Sequence, residues 1–333
     1  MVNIDYIIPT YSKSSIVKRG LDVLCKQTMK DCLCVTLVND CSPNTDCDYQ
    51  DLIDEYKNKL NIRVIKTSKN VGAGLARQYG IDNTSNPYIM FQDDDDMLSS
   101  DYAIEDFVKA ISNTDDTVKS VVSGWIEVDS AGNILNEKSG ADMNTCIVRL
   151  IYRSIIEEYN ISFDPDISRI FEDYDFATKY LYVIRNNSFK EIYLDSNYYV
   201  YVRDNAESVM NTANIQKVDL YYALVEFKKY KFLKEHLVND DELWEILNSA
   251  FEKSFFALCR IAKNPCVCKD ELMRLISLID EFYSDLGDEY EVQSNSIIYN
   301  LSNSDVIVNI DTYYDYFMSN PHNLTNEILK VLT

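Results

Sequence analysis

The sequence predicts an α/β protein: a doubly wound, mostly parallel sheet flanked by helices over residues 1–210, followed by an all-helical C-terminal region over 211–333. Three observations carry this. Short apolar runs alternate with amphipathic stretches through the first half, the order that builds parallel strands joined by crossover helices. Several of these runs end in a polar or acidic turn, and sheets of this kind bind ligands outside the carboxyl ends of their strands. From about Ile215 the apolar residues take helical spacing and glycine nearly vanishes, so the alternation stops.

The elements follow in order. Ile4 to Ile8, closed by Pro9, reads as a buried first strand and leads into the turn Pro9-Thr10-Tyr11-Ser12. Ser14 or Ser15 then caps a helix carrying Ile16, Val17, Leu21, Val23 and Leu24. Leu33 to Val38 is a second strand ending in the turn formers Asn39-Asp40-Cys41-Ser42-Pro43. A short helix over 49–60 and a third strand over 62–66 come next, and Gly72-Ala73-Gly74 opens a helix through Arg77 to Ile81. Pro87 excludes helix before the aromatic run Tyr88 to Phe91, a fourth strand that delivers Gln92 and four consecutive carboxylates, Asp93 to Asp96, to the sheet edge.

In the remainder, 103–111 is expected as a helix, 118–122 as a strand, and 125–129 with 133–135 as a hairpin across Ser130-Ala131-Gly132. A helix is expected over 146–159, and another opens at Phe171-Glu172-Asp173-Tyr174-Asp175-Phe176 and runs to about Ile184. Two late strands, 191–194 and 198–202, precede Arg203 and Ser208. Apolar stripes such as Leu220, Leu224 and Phe227, then Leu243, Ile246 and Leu247, define the C-terminal helices.

Composition narrows the function. A chain 46% hydrophobic and 26% charged, with no apolar run of the roughly 18 residues a membrane span needs, is expected to be globular, without stable membrane insertion. Its start lacks a basic region followed by an apolar core, so a cytoplasmic location is expected. Nine scattered Cys and only two His, His236 and His322, support neither a zinc set nor a disulfide framework nor His-based catalysis. A net charge of −22 repels polyanions and argues against nucleic acid as a partner. A phosphate-bearing substrate would have to be received by a cation or by a few placed arginines.

Asp93 to Asp96 fit that need. Carboxylate oxygens at a strand end suit Mg2+ or Mn2+, with substrate phosphates and water completing the shell; the plainer alternative is a solvated acidic turn. Gly72 to Arg77 satisfies half of a dinucleotide fingerprint, but Arg77 replaces the third glycine and the turn follows the third strand instead of the first. Close helix packing accounts for the glycines, and Arg77 is placed to contact a base or phosphate. Glu172, Asp173 and Asp175 either complement a helix dipole or supply a general base. Tyr11 is either core or a surface on which a base stacks.

Taken in order, Ile7 to Tyr11, Val38 to Ser42, Asn70 to Gly72 with Ala76-Arg77 and Gly80, Tyr88 to Asp96, and Glu172 to Asp175 resemble the successive motifs of family 2 glycosyltransferases of the GT-A fold. The resemblance spans about residues 1–210. It implies that Pro9, Thr10 and Tyr11 contact the nucleoside, that Asp40 partners the base, and that Arg77 approaches the base or diphosphate. It places metal ligation at Asp93 and Asp95, with Asp94 beside the nucleotide and Asp94 and Asp96 as the alternative metal register. Asp173 corresponds to the catalytic base, with Glu172 and Trp125 supporting the acceptor. Arg203 and Ser208 resemble the residues that close over the diphosphate.

Departures are Asn39 for an aspartate, Cys41 for a glycine and Gln92 for an apolar residue. The implied reaction is metal-dependent, inverting transfer from a nucleotide sugar, UDP-linked by preference, to a glycan or polymer hydroxyl. The alternatives are a catalytically silent scaffold and a nucleotidyltransferase. The second of these would want a glycine-rich basic loop after the first strand, where Thr10 to Ser15 has no Gly and one Lys. The C-terminal helices are expected to recognise the acceptor, cover the site or form a homo-oligomer.

Overall fold

A computed structural model describes residues 2–12, 14–43, 46–140, 144–167, 170–203 and 215–236, with isolated positions at Leu243, Ile246 and Ser277. The chain divides into two compact units, residues 1–212 and 213–333. In the second unit Ile215–His236 forms one helix, in which Ala223, Leu224, Val225 and Phe227 are buried and Lys229 bonds Glu226 at 2.8 Å. The remaining C-terminal stripes lie outside the described residues.

The first unit is a mixed sheet with helices on both faces. Its central strands are β1 (Ile4–Thr10), β2 (Leu33–Asn39), β3 (Asn61–Lys66) and β4 (Tyr88–Phe91), all parallel, in the order β3-β2-β1-β4. Every residue of β1 is buried, as befits a strand covered on both sides, whereas β3 alternates exposed and half-buried residues and carries Arg63 and Lys66 at the sheet edge. Helices α1 (Ser14–Lys26), α2 (Asp46–Tyr56) and α4 (Ala103–Ser112) share one core with Ile4, Tyr6, Ile8, Leu33, Val35 and Leu37. Helix α3 (Ala73–Asp82) covers the other face, where a Cβ at Gly80 would stand 2.5 Å from Ile7 Cγ2.

Antiparallel pairs enter in the second half. A short strand β5 (Met97–Leu98) precedes α4, and β6 (Val118–Val128), β7 (Ile134–Lys138), β8 (Arg149–Tyr152) and β9 (Lys190–Val202) extend the sheet beyond β4 in the order β8-β6-β9-β5. Pairings β4–β8, β6–β8, β5–β9 and β6–β7 are antiparallel, while β6–β9 is parallel. Three sequence expectations change here. Residues 118–128 form one strand, so the expected strand and the first arm of the hairpin are continuous. The two late strands also merge into β9, through register shifts opposite Val122 and Gly124.

The third change is larger. The helix expected over 146–159 is replaced by strand β8 and a short helix α5 (Arg153–Glu158). Ile147, Val148, Leu150, Ile151, Ile155 and Ile156 fit a buried strand as well as a helix, and the hydrogen-bonding edges of β4 and β6 decide the matter. Helix α6 (Glu172–Asn186) then returns the chain to β9.

One buried ion pair ties these halves together. Arg153 Nη2 bonds Asp5 Oδ2 at 3.0 Å, and its other nitrogens bond the carbonyls of Asn86 and Ile81. Asp5 also accepts from the Asn86 backbone and side chain at 2.8 and 2.7 Å. Removing one partner of such a pair leaves a desolvated charge, so Arg153→Ala should cost about 3–5 kcal/mol. A chemical-denaturation midpoint close to that of the unmodified protein would contradict this.

Candidate active site

Parallel register brings the motif turns to one edge. Thr10 pairs with Asn39, Asn39 with Lys66, and Ile7 with Phe91, so the segments after β1, β2 and β4 leave the sheet on the same side. Thr10 is buried and its hydroxyl is 2.9 Å from that of Tyr49, while Tyr11, the next residue, is 44% exposed and available to a ligand's flat face. Pro9 is buried within β1.

Asp40 is spent largely on its own chain. Its Oδ1 accepts from the Thr67 hydroxyl and the Val71 N–H, and its Oδ2 from the Gly72 N–H, at 2.8–2.9 Å. This carboxylate shapes the turn that starts α3, where Gly72 sits at φ 89°. Cys41, in the place where glycine is common in the family, adopts φ 55°, and Asn39 Oδ1 holds the following Ser42 N–H at 2.8 Å. The left-handed turn is thus retained without glycine.

Arg77 is the hub. Buried in α3, it donates through Nη2 to Asp93 Oδ1 at 2.5 Å and through Nη1 to Glu172 Oε1 at 2.9 Å. Burial works against its charge, but Asp93 and Glu172 outweigh burial and hold the guanidinium protonated. Burial raises the Glu172 carboxyl, with Arg77 opposing that shift. Gly74 permits the approach of α6, since a Cβ there would lie 2.9 Å from Glu172 Cβ. The glycines of the Gly72 to Arg77 stretch therefore serve turn and packing, as the plainer sequence reading has it.

The four aspartates divide into two kinds. Asp94 and Asp96 are buried, whereas Asp93 and Asp95 are partly exposed. Asp96 accepts from the Tyr199 hydroxyl at 2.9 Å and the Val202 N–H at 3.1 Å, and burial followed by repulsion from Asp93 and Asp95 pushes its carboxyl well up. Tyr199 also receives the Asp93 N–H at 2.9 Å, so one hydroxyl organises the whole acidic turn. Gln92 anchors its start: buried, it takes the Tyr6 hydroxyl at 2.9 Å and donates to the Asp96 carbonyl at 3.2 Å. Tyr199→Phe strands the Asp93 N–H and removes a donor from Asp96, a loss of roughly 1–3 kcal/mol. Thermal unfolding of this variant at the unmodified midpoint would show that the bridge does not matter.

Asp93 and Asp95 suit a hard divalent cation, being oxygen donors at the mouth of the strand edge. Among the described residues no three His, Cys, Asp or Glu side chains converge on one point, so such a cation would complete its shell with phosphate and water oxygens.

Asp173 lies in the first turn of α6, beside Glu172, after Phe171 at φ 62°. The Thr145 hydroxyl donates to its Oδ2 at 2.7 Å. Tyr201, on the same side of β9 as Tyr199, is raised well above its ordinary range by burial and then by the charges of Asp93 and Asp173. Its ring meets Trp125 edge-on at 5.3 Å. Cys146 is buried in the same neighbourhood, its thiol raised first by burial, with Arg77 opposing and Asp173, Glu172 and Asp93 adding to the rise, which makes it inert.

The structure therefore brings together Arg77, Asp93 and Glu172, with Asp173 next to Glu172 in the same helical turn, and sets Trp125 against Tyr201. It sets Asp40 and Thr10 at the adjoining strand ends. Arg203 is exposed at the end of β9, where it pairs with Glu127 and bonds the Val128 carbonyl at 2.8 Å through its own N–H. Ser208 lies outside the described residues. Thr145, Tyr199 and Tyr201 were not anticipated; the spacing of the two tyrosines by two residues in a strand was the available sign that they share a face.

Residues 5–176, just over half of the chain, match the family model described as "Glycosyl transferase family 2". The chain belongs to this family. Among its relatives, the poly(ribitol-phosphate) β-N-acetylglucosaminyltransferase TarS of Staphylococcus aureus strain Mu50 is 24% identical over 268 residues, 76% of this chain and 45% of TarS. TarP of S. aureus strain N315, named for the same activity, is 24% identical over 68% of this chain and 70% of its own length. The minor teichoic acid biosynthesis protein GgaB of Bacillus subtilis is 23% identical over 87% of this chain and 33% of its own. The family 2 chain described here thus spans less than half the length of TarS or GgaB.

Its fold is that of solved GT-A glycosyltransferases. S. aureus TarS 1–349 in complex with UDP-GlcNAc superimposes with a TM-score of 0.60 at 18% identity, covering 84% of this chain and 80% of that one. Among the described residues of this family 2 protein, no helix is long and apolar enough to cross a membrane.

Proposed function

We propose that the protein is a metal-dependent, inverting glycosyltransferase that moves a sugar from a nucleoside diphosphate sugar, UDP-linked by preference, to a hydroxyl of a polymer acceptor. The observation that carries this reading is the Arg77 bridge. It joins Asp93, which follows β4, to Glu172, the neighbour of Asp173, so a proposed cation ligand and the turn that carries the proposed general base are linked through one guanidinium. Family membership and the names borne by TarS and TarP support the reaction class. The TarS complex with UDP-GlcNAc supports the donor, and the Pyrobaculum calidifontis mannosyltransferase PcManGT with GDP-Man and Mn2+ (TM-score 0.50, 15% identity) supports the need for a cation.

In this mechanism Tyr11 and the segment after β2 receive the nucleoside, with Asp40 presenting the remaining lone pair of Oδ2 to the base. Asp93 and Asp95 would hold Mg2+ or Mn2+, which would supply neutralisation of the charge on the departing diphosphate. Arg77, held by Asp93 and Glu172, would share that charge. Asp173 takes the proton of the acceptor hydroxyl as it attacks the anomeric carbon from the face opposite the leaving group, which inverts that centre. Trp125 and Tyr201 supply an aromatic wall for a sugar or acceptor. Arg203 and Ser208 remain proposed contacts of the diphosphate, and the C-terminal region from 211, expected from its sequence to be helical, a proposed acceptor or oligomer surface.

A chain of net charge −22 gains nothing from long-range attraction to a polyphosphate, so a teichoic-acid-like acceptor would be held by short-range contacts. We place the reaction in the cytoplasm. The test is a transfer assay with UDP-GlcNAc, UDP-glucose and GDP-mannose as donors and poly(ribitol phosphate) or poly(glycerol phosphate) as acceptors. Sugar incorporation dependent on added Mn2+ supports the reading, and absence of turnover with all donors despite nucleotide binding favours a silent scaffold.

A further inference from the structure

We propose that Thr145 is a positioning residue for this reaction: its hydroxyl fixes one oxygen of Asp173 and leaves the other for the acceptor. The inference rests on the reading of Asp173 as the general base. Thr145 Oγ1 stands 2.7 Å from Asp173 Oδ2 and 3.2 Å from the Ile147 nitrogen. A backbone N–H can only donate, so the oxygen accepts there and its own proton is directed to the carboxylate. The direction of the bond follows from the ionised carboxylate, which can only accept.

The segment that presents Thr145 is held from several sides. The Thr145 carbonyl accepts from Arg149 Nε at 3.3 Å, and the fully buried Arg149 also bonds the Ser120 hydroxyl at 2.7 Å and pairs with Glu191. Ile147 bridges to Phe91 at the end of β4, and the Val148 carbonyl accepts from the Ser123 N–H at 3.1 Å. Val148 itself adopts φ 61°, a left-handed conformation that is exceptional for a β-branched residue. Such strain persists where the surroundings over-determine it. This strap sets Thr145 against the first turn of α6.

A base must sit within about 2.6–3.2 Å of the proton-bearing oxygen it serves, and a carboxylate free to rotate spends less time there. The bond to Thr145 selects one orientation of Asp173 before the acceptor arrives. Thr145 touches neither donor nor acceptor in this account. It acts through Asp173.

The experiment compares the full chain with Thr145→Val, Thr145→Ser and Asp173→Asn, measuring kcat and donor KM by release of UDP from the donor sugar, and the thermal midpoint. Thr145→Val should lower kcat by about 10- to 100-fold, a part of what a general base contributes. Donor KM should stay close to that of the unmodified protein, the midpoint should fall only by what the stranded Ile147 N–H entails, and Thr145→Ser, which keeps both bonds, should recover most of the rate and the midpoint. Should Val disturb folding, Thr145→Ala carries the same expectation. An unchanged kcat in Thr145→Val while Asp173→Asn is inactive would overturn the role of Thr145 alone. Full activity in Asp173→Asn would overturn the base assignment and this inference with it, as would a loss in Thr145→Val that serine does not restore.

Discussion

Asp173→Asn is expected to lower kcat by about 10²- to 10⁴-fold, the contribution of a placed general base, while leaving nucleotide affinity within error of the unmodified protein. The split follows from the geometry. Asp173 is held by Thr145 on the α6 side of the site, and no hydrogen bond ties it to Asp93 or to the turn built by Asp40. Asparagine keeps the shape and can still accept from Thr145 through Oδ1, so folding is preserved while the ability to take a proton is lost. Single-turnover transfer with a labelled donor, paired with equilibrium binding of UDP, measures both quantities. Transfer at the unmodified rate would move the base to another residue.

The second large effect concerns the cation. Asp95→Asn should reduce metal-dependent affinity for the nucleoside diphosphate by at least about 10- to 100-fold, since loss of a mere supporting partner of a metal site already costs that much. Asp96→Asn should leave it nearly unchanged. Asp96 is buried and accepts from Tyr199 and Val202, bonds that an asparagine oxygen can partly keep. Mn2+ titration followed by electron paramagnetic resonance distinguishes the two. A loss confined to Asp96→Asn, with Asp95→Asn unaffected, would place the cation on the alternative register of the acidic run.

These expectations show which parts of the molecule were legible in the sequence. β1, β2 and β4 each announce themselves by a largely apolar run ending in a polar turn, because a parallel strand buried on both faces takes a polar residue only where it is paired, as Asp5 is with Arg153. The site residues on those turns were readable for the same reason. What local sequence does not carry is pairing. Ile147 to Ile156 reads as well in a helical period as in a strand, and only β4 and β6, distant in the chain, make it strand β8.

Long-range partners also decide the roles of single side chains. Four adjacent aspartates are alike until Tyr199, more than 100 residues away, takes Asp96 and the Asp93 N–H. Arg77, expected to approach the base or diphosphate, also pairs with Asp93 and Glu172, an arrangement that a single helix turn cannot disclose. Gln92, an outlier against the family pattern, proves to be a satisfied buried amide whose donor, Tyr6, lies in another strand. Trp125 reads as one arm of a hairpin, and it is β9 that turns it toward Tyr201.

The most direct test of a cation-assisted nucleotide site is calorimetric titration of the full chain with UDP, GDP, CDP and NAD, each with and without Mn2+. Binding of one nucleoside diphosphate only when Mn2+ is present is the predicted result. Binding of NAD alone, or nucleotide binding of equal strength without the cation, would contradict it.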